Sequence, residues 1–150
     1  MNSDSFSHLD AAGEARMVDV HAKPVQPRLA AARGELRCAP ETIRLLREQA
    51  LPKGDVLAVA RVAGIQAAKR TAELIPLCHP LPLHHVAIDF TIGDDRIVIT
   101  CETITEARTG VEMEALTGAG VAALTLYDMM KAVDKAMVIG DLRVTRKEKK

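Results

Sequence analysis

Asp128 and Lys131 follow an uncharged stretch of 13 residues, Ala115 to Tyr127. At i and i+3 they share one face of a helix. A carboxylate and an ammonium within hydrogen-bond reach can serve one substrate as base and acid, each shifting the other's pKa. The same spacing also describes a helix-end ion pair, and a lysine near a helix C-terminus is favoured by the dipole in any case. Leu77-Cys78-His79-Pro80 places a thiol and an imidazole on a proline-stiffened segment. Neighbours on an extended chain point to opposite sides, so Cys78 and His79 do not suit one metal ion together. His84, His85 and Cys101 could join one of them, but the short, fixed spacing of paired zinc ligands is missing, and no metal is expected. His79 is better read as a donor to a substrate or an acid/base near neutral pH, against the alternative of a buried, hydrogen-bonded histidine.

Glu112-Met113-Glu114 follows Thr109-Gly110. The two glutamates face opposite ways on a helix and the same way on an extended segment, and the helix dipole alone accounts for one acid in a first turn. Lys53 beside Gly54, with Lys69-Arg70, supplies cations able to clamp a phosphorylated ligand, although solvated helix charges read the same way. Neither G-x-x-x-x-G-K-[ST] nor G-x-G-x-x-G occurs, which removes the P-loop and dinucleotide-binding readings.

The elements that must position these groups follow from pattern. Residues 1–27 carry Gly13, Pro24 and Pro27 with no sustained period and are expected to form an extended or partly disordered N-terminal arm. Residues 28–150 are expected to form a single catalytic α+β domain. Arg28 to Cys38 is ambiguous between strand and weak helix, with Gly34 favouring the strand. Pro40 suits a first helical position. Asp55 is a plausible N-cap for a helix running to Ile75, and its Ala58, Ala60, Ala63, Gly64, Ala67 and Ala68 would admit a close neighbour. Prolines 76, 80 and 82 make the next segment a rigid extended loop. Val86, Ile88, Phe90 and Ile92 alternate with smaller or polar residues, and Gly93-Asp94-Asp95 turns into a second strand. A buried helix then runs from Val111 to Val133, and a last strand spans Met137 to Thr145 before the basic RKEKK. This order predicts an α+β, ferredoxin-like antiparallel sheet with helices packed on one face.

Composition narrows the partners. The chain has 150 residues, with 20 Lys+Arg against 20 Asp+Glu, and the charges cancel within each third as well. Binding to nucleic acid or an anionic membrane by bulk basicity is thereby excluded, so any anion must be held by a local cluster. Phe6, Phe90 and Tyr127 are the only aromatics, too few for base stacking. Ala fills 23 positions, so much of the apolar fraction buries little area per residue, and close helix packing or an oligomer must supply the rest. Three cysteines without C-x-x-C, no secretory leader pattern and no membrane-length apolar run point to a cytoplasmic protein.

Three stretches, HLDAAGEARMVDV (8–20), KGDVLAVARVAGIQAAKRTAELIPLCHPL (53–81) and TGVEMEALTGAGVAALTLYDMMKAVDKAMVI (109–139), resemble the MoaC family of molybdenum cofactor biosynthesis. LIPLCHPL and TGVEMEALT carry most of the specificity. The resemblance implies a lyase that converts 3′,8-cyclo-7,8-dihydro-GTP to cyclic pyranopterin monophosphate with release of pyrophosphate, without a cofactor. It also implies a homohexamer, a trimer of dimers with active sites at subunit interfaces. The family's catalytic positions fall on Asp128, Lys131, Lys53 and His79. Its substrate-binding segments fall on Leu77, Cys78, His79, Glu112, Met113 and Glu114, and Lys69 and Arg70 are further candidates for the triphosphate. His21 stands where a small residue is usual, Arg108 replaces a common lysine, and the chain reads to RKEKK without the Gly-Gly-Lys-Ser-Gly-like tail frequent in the family, so the site is expected to close without that tail. A nucleotide-binding module without catalysis would need the cations and the pocket but not the Asp128/Lys131 pair.

Overall fold

The computed structural model describes residues 7–150. Residues 1–6 of the expected arm, Phe6 among them, lie outside the described residues. Between residues 7 and 25 the backbone makes turns and one isolated bridge, Leu9 to Ala15. The ordered elements follow as β1 (Gln26–Arg37), α1 (Pro40–Arg47), α2 (Val56–Lys69), α3 (Thr71–Leu74), β2 (His85–Ile92), β3 (Arg96–Ala107), α4 (Glu112–Met130) and β4 (Val138–Lys149). The sheet order is β2-β3-β1-β4 and every neighbouring pair is antiparallel. With two strand-helix-strand halves interleaved in this order, the fold is α+β and ferredoxin-like, as the element order predicts.

Period-two alternation sets the buried face. Ala30, Ala32 and Leu36 of β1 and Ile97, Ile99 and Cys101 of β3 point under the helices, and Ile88 of β2 joins them. Above them α4 buries Ala115, Ala119, Ala122, Leu126 and Met130. Of the two ways to enlarge an alanine-rich core, close helix packing is seen within the subunit. A Cβ on Gly64 of α2 would lie 2.8 Å from the Gly118 carbonyl of α4, and a Cβ on Gly118 would lie 2.6 Å from Cys101 Sγ. The two helices and β3 therefore meet where no side chain fits between them. Val59, Val62 and Leu124 stay exposed on the outer helix surfaces.

Three boundaries differ from the sequence expectation, each for a local reason. The helix expected to reach Ile75 breaks at Arg70, where the buried Thr71 hydroxyl bonds back to the Ala67 and Ala68 carbonyls and a single turn, α3, follows. The helix α4 ends at Met130 rather than Val133, because the buried Asp134 carboxylate accepts from Ala39 N and Thr42 Oγ1 at 2.9 Å each and from Ala136 N at 3.0 Å. Asp134 thus ties the start of α1 to the end of α4, through the Ala39 N–H and the Thr42 hydroxyl, and it anchors the segment that follows Lys131. The strand β4 extends through the basic run to Lys149, since Arg146 to Lys149 pair with Ala31 to Arg28 of β1. The register shifts beside Arg33, where Asp141 takes a positive φ and its carboxylate pairs with the Arg33 guanidinium.

Candidate active site

The sequence-derived site residues fall into two groups at opposite ends of α4. At its C-terminal end, Asp128 occupies the last turn and Lys131 is the C-cap residue, so the i, i+3 spacing brings Lys131 Nζ to 2.8 Å from Asp128 Oδ1. Lys53, in the turn before α2, reaches the same carboxylate at 3.5 Å and donates to the Asp128 backbone carbonyl at 3.1 Å. The hydrogen bond from Lys131, then the charges of Lys131 and Lys53, hold the Asp128 carboxyl below the usual carboxylate range. The same hydrogen bond and the Asp128 charge raise the Lys131 ammonium. Both groups are therefore ionised at neutral pH, with Lys131 as the proton donor and Asp128 as the acceptor. An open cavity of about 420 Å³ beside them is lined by Lys53, Tyr127, Lys131, Ala132 and Lys135. Three lysines around one aspartate leave a local excess of positive charge suited to an anion.

At the N-terminal end, Leu77, Cys78, His79, Glu112, Met113 and Glu114 line one cavity of about 230 Å³, to which Val18, Val20 and Lys23 of the arm also contribute. His79 and Glu114 also face an adjoining cavity of about 260 Å³ that contains Lys69 and Arg70. The two candidate cations thus sit across His79 from the main cavity. His79 Nε2 lies 2.6 Å from the Val18 carbonyl and must donate to it, which ties the arm to the loop. While that bond holds, Nδ1 is an acceptor in the neutral ring and a donor only in the imidazolium.

The two glutamates share the first turn of α4 but not their surroundings. Burial opposes the charge on Glu112, yet the hydrogen bond and charge of Lys147 from β4 outweigh it and keep this carboxyl below its ordinary value. Glu114 is 5% exposed, and burial, with a further push from the Glu112 charge, moves its carboxyl up to about 6. Cys78 is also raised, first by burial and then by Glu114, which makes it a poor thiolate. Among the described residues no three His, Cys, Asp or Glu side chains converge as metal ligands.

Residue type and spacing alone do not single out Lys23, Lys135 or Lys147. Lys147 lies in the basic run RKEK, and what brings it beside the start of α4 is the pairing of β4 with β1. Lys135 lies four residues after Lys131 but beyond the end of α4, and Lys23 belongs to no repeating pattern. Arg108 donates to the His21 carbonyl at 3.0 Å and also to that of Lys23, which explains how the arm is held over the cavity.

The chain is also similar in sequence to known proteins. The sequence model described as the MoaC family matches residues 17–150. The cyclic pyranopterin monophosphate synthase of Streptomyces coelicolor is 56% identical over 144 residues, which cover 96% of this chain and 85% of that protein. The protein of the same name from Thermomicrobium roseum is 57% identical over 144 residues, 95% of this chain and 87% of its own. A molybdenum cofactor biosynthesis bifunctional protein from Chlorobaculum tepidum is 57% identical over 142 residues, 95% of this chain but 46% of that longer protein.

Proposed function

The chain belongs to the MoaC family, and from that premise we propose that it is a cyclic pyranopterin monophosphate synthase of molybdenum cofactor biosynthesis. It converts 3′,8-cyclo-7,8-dihydro-GTP to cyclic pyranopterin monophosphate and releases pyrophosphate. The observation that carries this reading is the 56% identity to a protein of that name across 96% of the chain.

The geometry supports a division of labour. Opening the purine-derived ring needs a base and an acid, and the ionised Asp128/Lys131 pair offers both at 2.8 Å. Closing the cyclic phosphate requires a ribose-derived hydroxyl to attack the α-phosphorus as pyrophosphate leaves, a step governed by positioning and charge stabilisation. Lys53 and Lys131 stabilise that charge on one side, and Lys69 and Arg70 hold phosphate on the other. Glu112 and Glu114 accept hydrogen bonds from the amide and amino groups of the pterin. His79, with Nε2 engaged by Val18, offers Nδ1 to the substrate.

We further propose that the two groups of residues meet across a subunit interface, as in a homohexamer built as a trimer of dimers. The exposed Val59, Val62 and Leu124 support a partner over the helix surfaces. No helix among the described residues is long and apolar enough to cross a membrane, and three free cysteines suit a reducing, cytoplasmic setting. Purified protein given the cyclised GTP intermediate should yield the pterin product and one pyrophosphate per turnover. Binding of the intermediate without either product would reduce the protein to a binding module and overturn the enzymatic reading.

A further inference from the structure

The helix-facing side of β3 changes character along its length. Ile97, Ile99 and Cys101 are apolar, whereas the next two inward positions are Thr103 and Thr105, 0% and 1% exposed. A hydroxyl with no water must have a protein partner, and a valine would fill the same volume without that demand. Neither threonine spends its side chain only on the strand that carries it. Thr103 Oγ1 lies 3.1 Å from the Val111 carbonyl, with the Ala30 carbonyl farther at 3.4 Å. Its single proton therefore has Val111 as the nearer acceptor. Thr105 Oγ1 donates to the Pro82 carbonyl, and His84 Nδ1 lies 3.3 Å from the same oxygen. With the hydroxyl proton committed to Pro82, His84 must be the donor in that second contact, giving a chain from His84 through Thr105 to Pro82.

Both carbonyls belong to segments that wall the cavity. Val111 is the N-cap of α4, and its carbonyl also accepts the first helical bond, from Ala115 N at 3.1 Å. A pin on that carbonyl fixes the start of the turn that carries Glu112, Met113 and Glu114. Pro82 ends the His79-Pro80-Leu81-Pro82 run. Proline fixes φ at 80 and 82 and confines His79 and Leu81 to extended backbone, so few soft torsions separate the Pro82 carbonyl from His79. Two hydroxyls, two residues apart on one strand, thus hold the two segments at a set separation.

We propose that Thr103 and Thr105 are positioning residues that fix the spacing between the Glu112–Glu114 turn and the His79 loop, and so the fit of the pterin part of the substrate. This rests on the functional reading above, which assigns those two segments to substrate binding. The test compares Thr→Val, Thr→Ala and Thr→Ser at each position, with steady-state kinetics on the cyclised GTP intermediate and thermal unfolding as a record of folded protein. Valine and alanine are expected to raise KM about tenfold with kcat within threefold, and serine, which keeps the hydroxyl, is expected to restore KM to within twofold. Should the valine variants not accumulate folded, alanine against serine decides by the same criterion. An unchanged KM in a folded variant without the hydroxyl, or a fall in kcat alone as loss of folded protein produces, overturns the proposal, as does serine that fails to rescue. If the unaltered protein shows no turnover, the functional reading fails instead. Direct binding of the intermediate, tenfold weaker in the valine variants but not in the serine ones, then still decides the role of the threonines.

Discussion

Glu114 and Asp128 stand at opposite ends of the same helix, and a separation of 14 residues places their Cα atoms about 21 Å apart at the helical rise. Under the proposed assignment Glu114 reads the pterin and Asp128 moves its protons, so both must reach one ring. The two-fold association we propose, with the Asp128 end of one α4 beside the Glu114 end of another, would bring them together.

That arrangement predicts complementation. Asp128→Asn and Glu114→Ala should each be inactive alone, the second through loss of substrate binding. Mixed and allowed to exchange subunits, they should recover roughly a quarter of the unaltered activity, because random pairing restores one intact site in half of the dimers. Recovery is read from pyrophosphate release after exchange has been verified by mass. A mixture as inactive as its components would place the whole site within one subunit.

The Asp128/Lys131 pair should act on chemistry rather than on folding. Both side chains are more than half exposed, so the ion pair contributes little to stability. Asp128→Asn keeps the shape but removes the base, and Lys131→Met keeps the stem but removes the acid. Each should lower kcat by about 10² to 10⁴ with an unchanged melting temperature. Activity within threefold of the unaltered protein in either variant would dismiss the acid/base assignment for that residue.

How far the sequence showed this site depends on whether a group is placed by local spacing or by long-range pairing. The Asp128/Lys131 contact is an i, i+3 relation that helical geometry dictates. Asp55 as a cap and Pro40 at a first helical position are equally local, and both are found. The strand order follows from the order of elements and from one buried face per strand. The pairing of Lys147 with Glu112 is different: it depends on β4 lying beside β1 with two register shifts, which no local pattern encodes. Asp134 likewise accepts hydrogen bonds from Ala39 and Thr42 at the start of a helix more than ninety positions away in the chain. The small residues of α2 show that something packs closely there, but not that the neighbour is α4 of the same chain.

Glu114 gives a prediction in pH. Its carboxyl is raised from 4.5 to about 6 by burial, so the folded state favours the protonated form. The stabilisation from that proton is full below the unfolded value and is lost as pH rises through the folded one. Integrated, it amounts to about 2 kcal/mol. Glu114→Gln removes the titration, so its stability relative to the unaltered protein should improve by that amount between pH 4.5 and 7 in urea unfolding. The same substitution should raise KM, since an amide replaces a charged acceptor. A stability difference that stays flat across the window would mean that the Glu114 carboxyl is solvated.

The crossing of α2 over α4 predicts opposite outcomes for two glycines on one helix. Gly118→Ala would bring a methyl to 2.6 Å from Cys101 Sγ and 3.3 Å from the Gly64 carbonyl, so α4 must lift from both β3 and α2. Overpacking of this kind costs about 1–3 kcal/mol, which for a chain of this size lowers the melting temperature by roughly 2–12 °C. Gly120, two residues on, turns away from the crossing, and a Cβ there meets only Leu142 Cδ2, at 3.4 Å, an ordinary contact. Alanine at that position should be neutral or stabilising by up to about 1 kcal/mol, because it removes the entropy that glycine brings to the unfolded chain. Thermal unfolding of the two variants decides the matter. Equal losses at both positions would show that the second face is packed as tightly as the first, and that Gly120 too lies against a neighbouring backbone in the assembled protein.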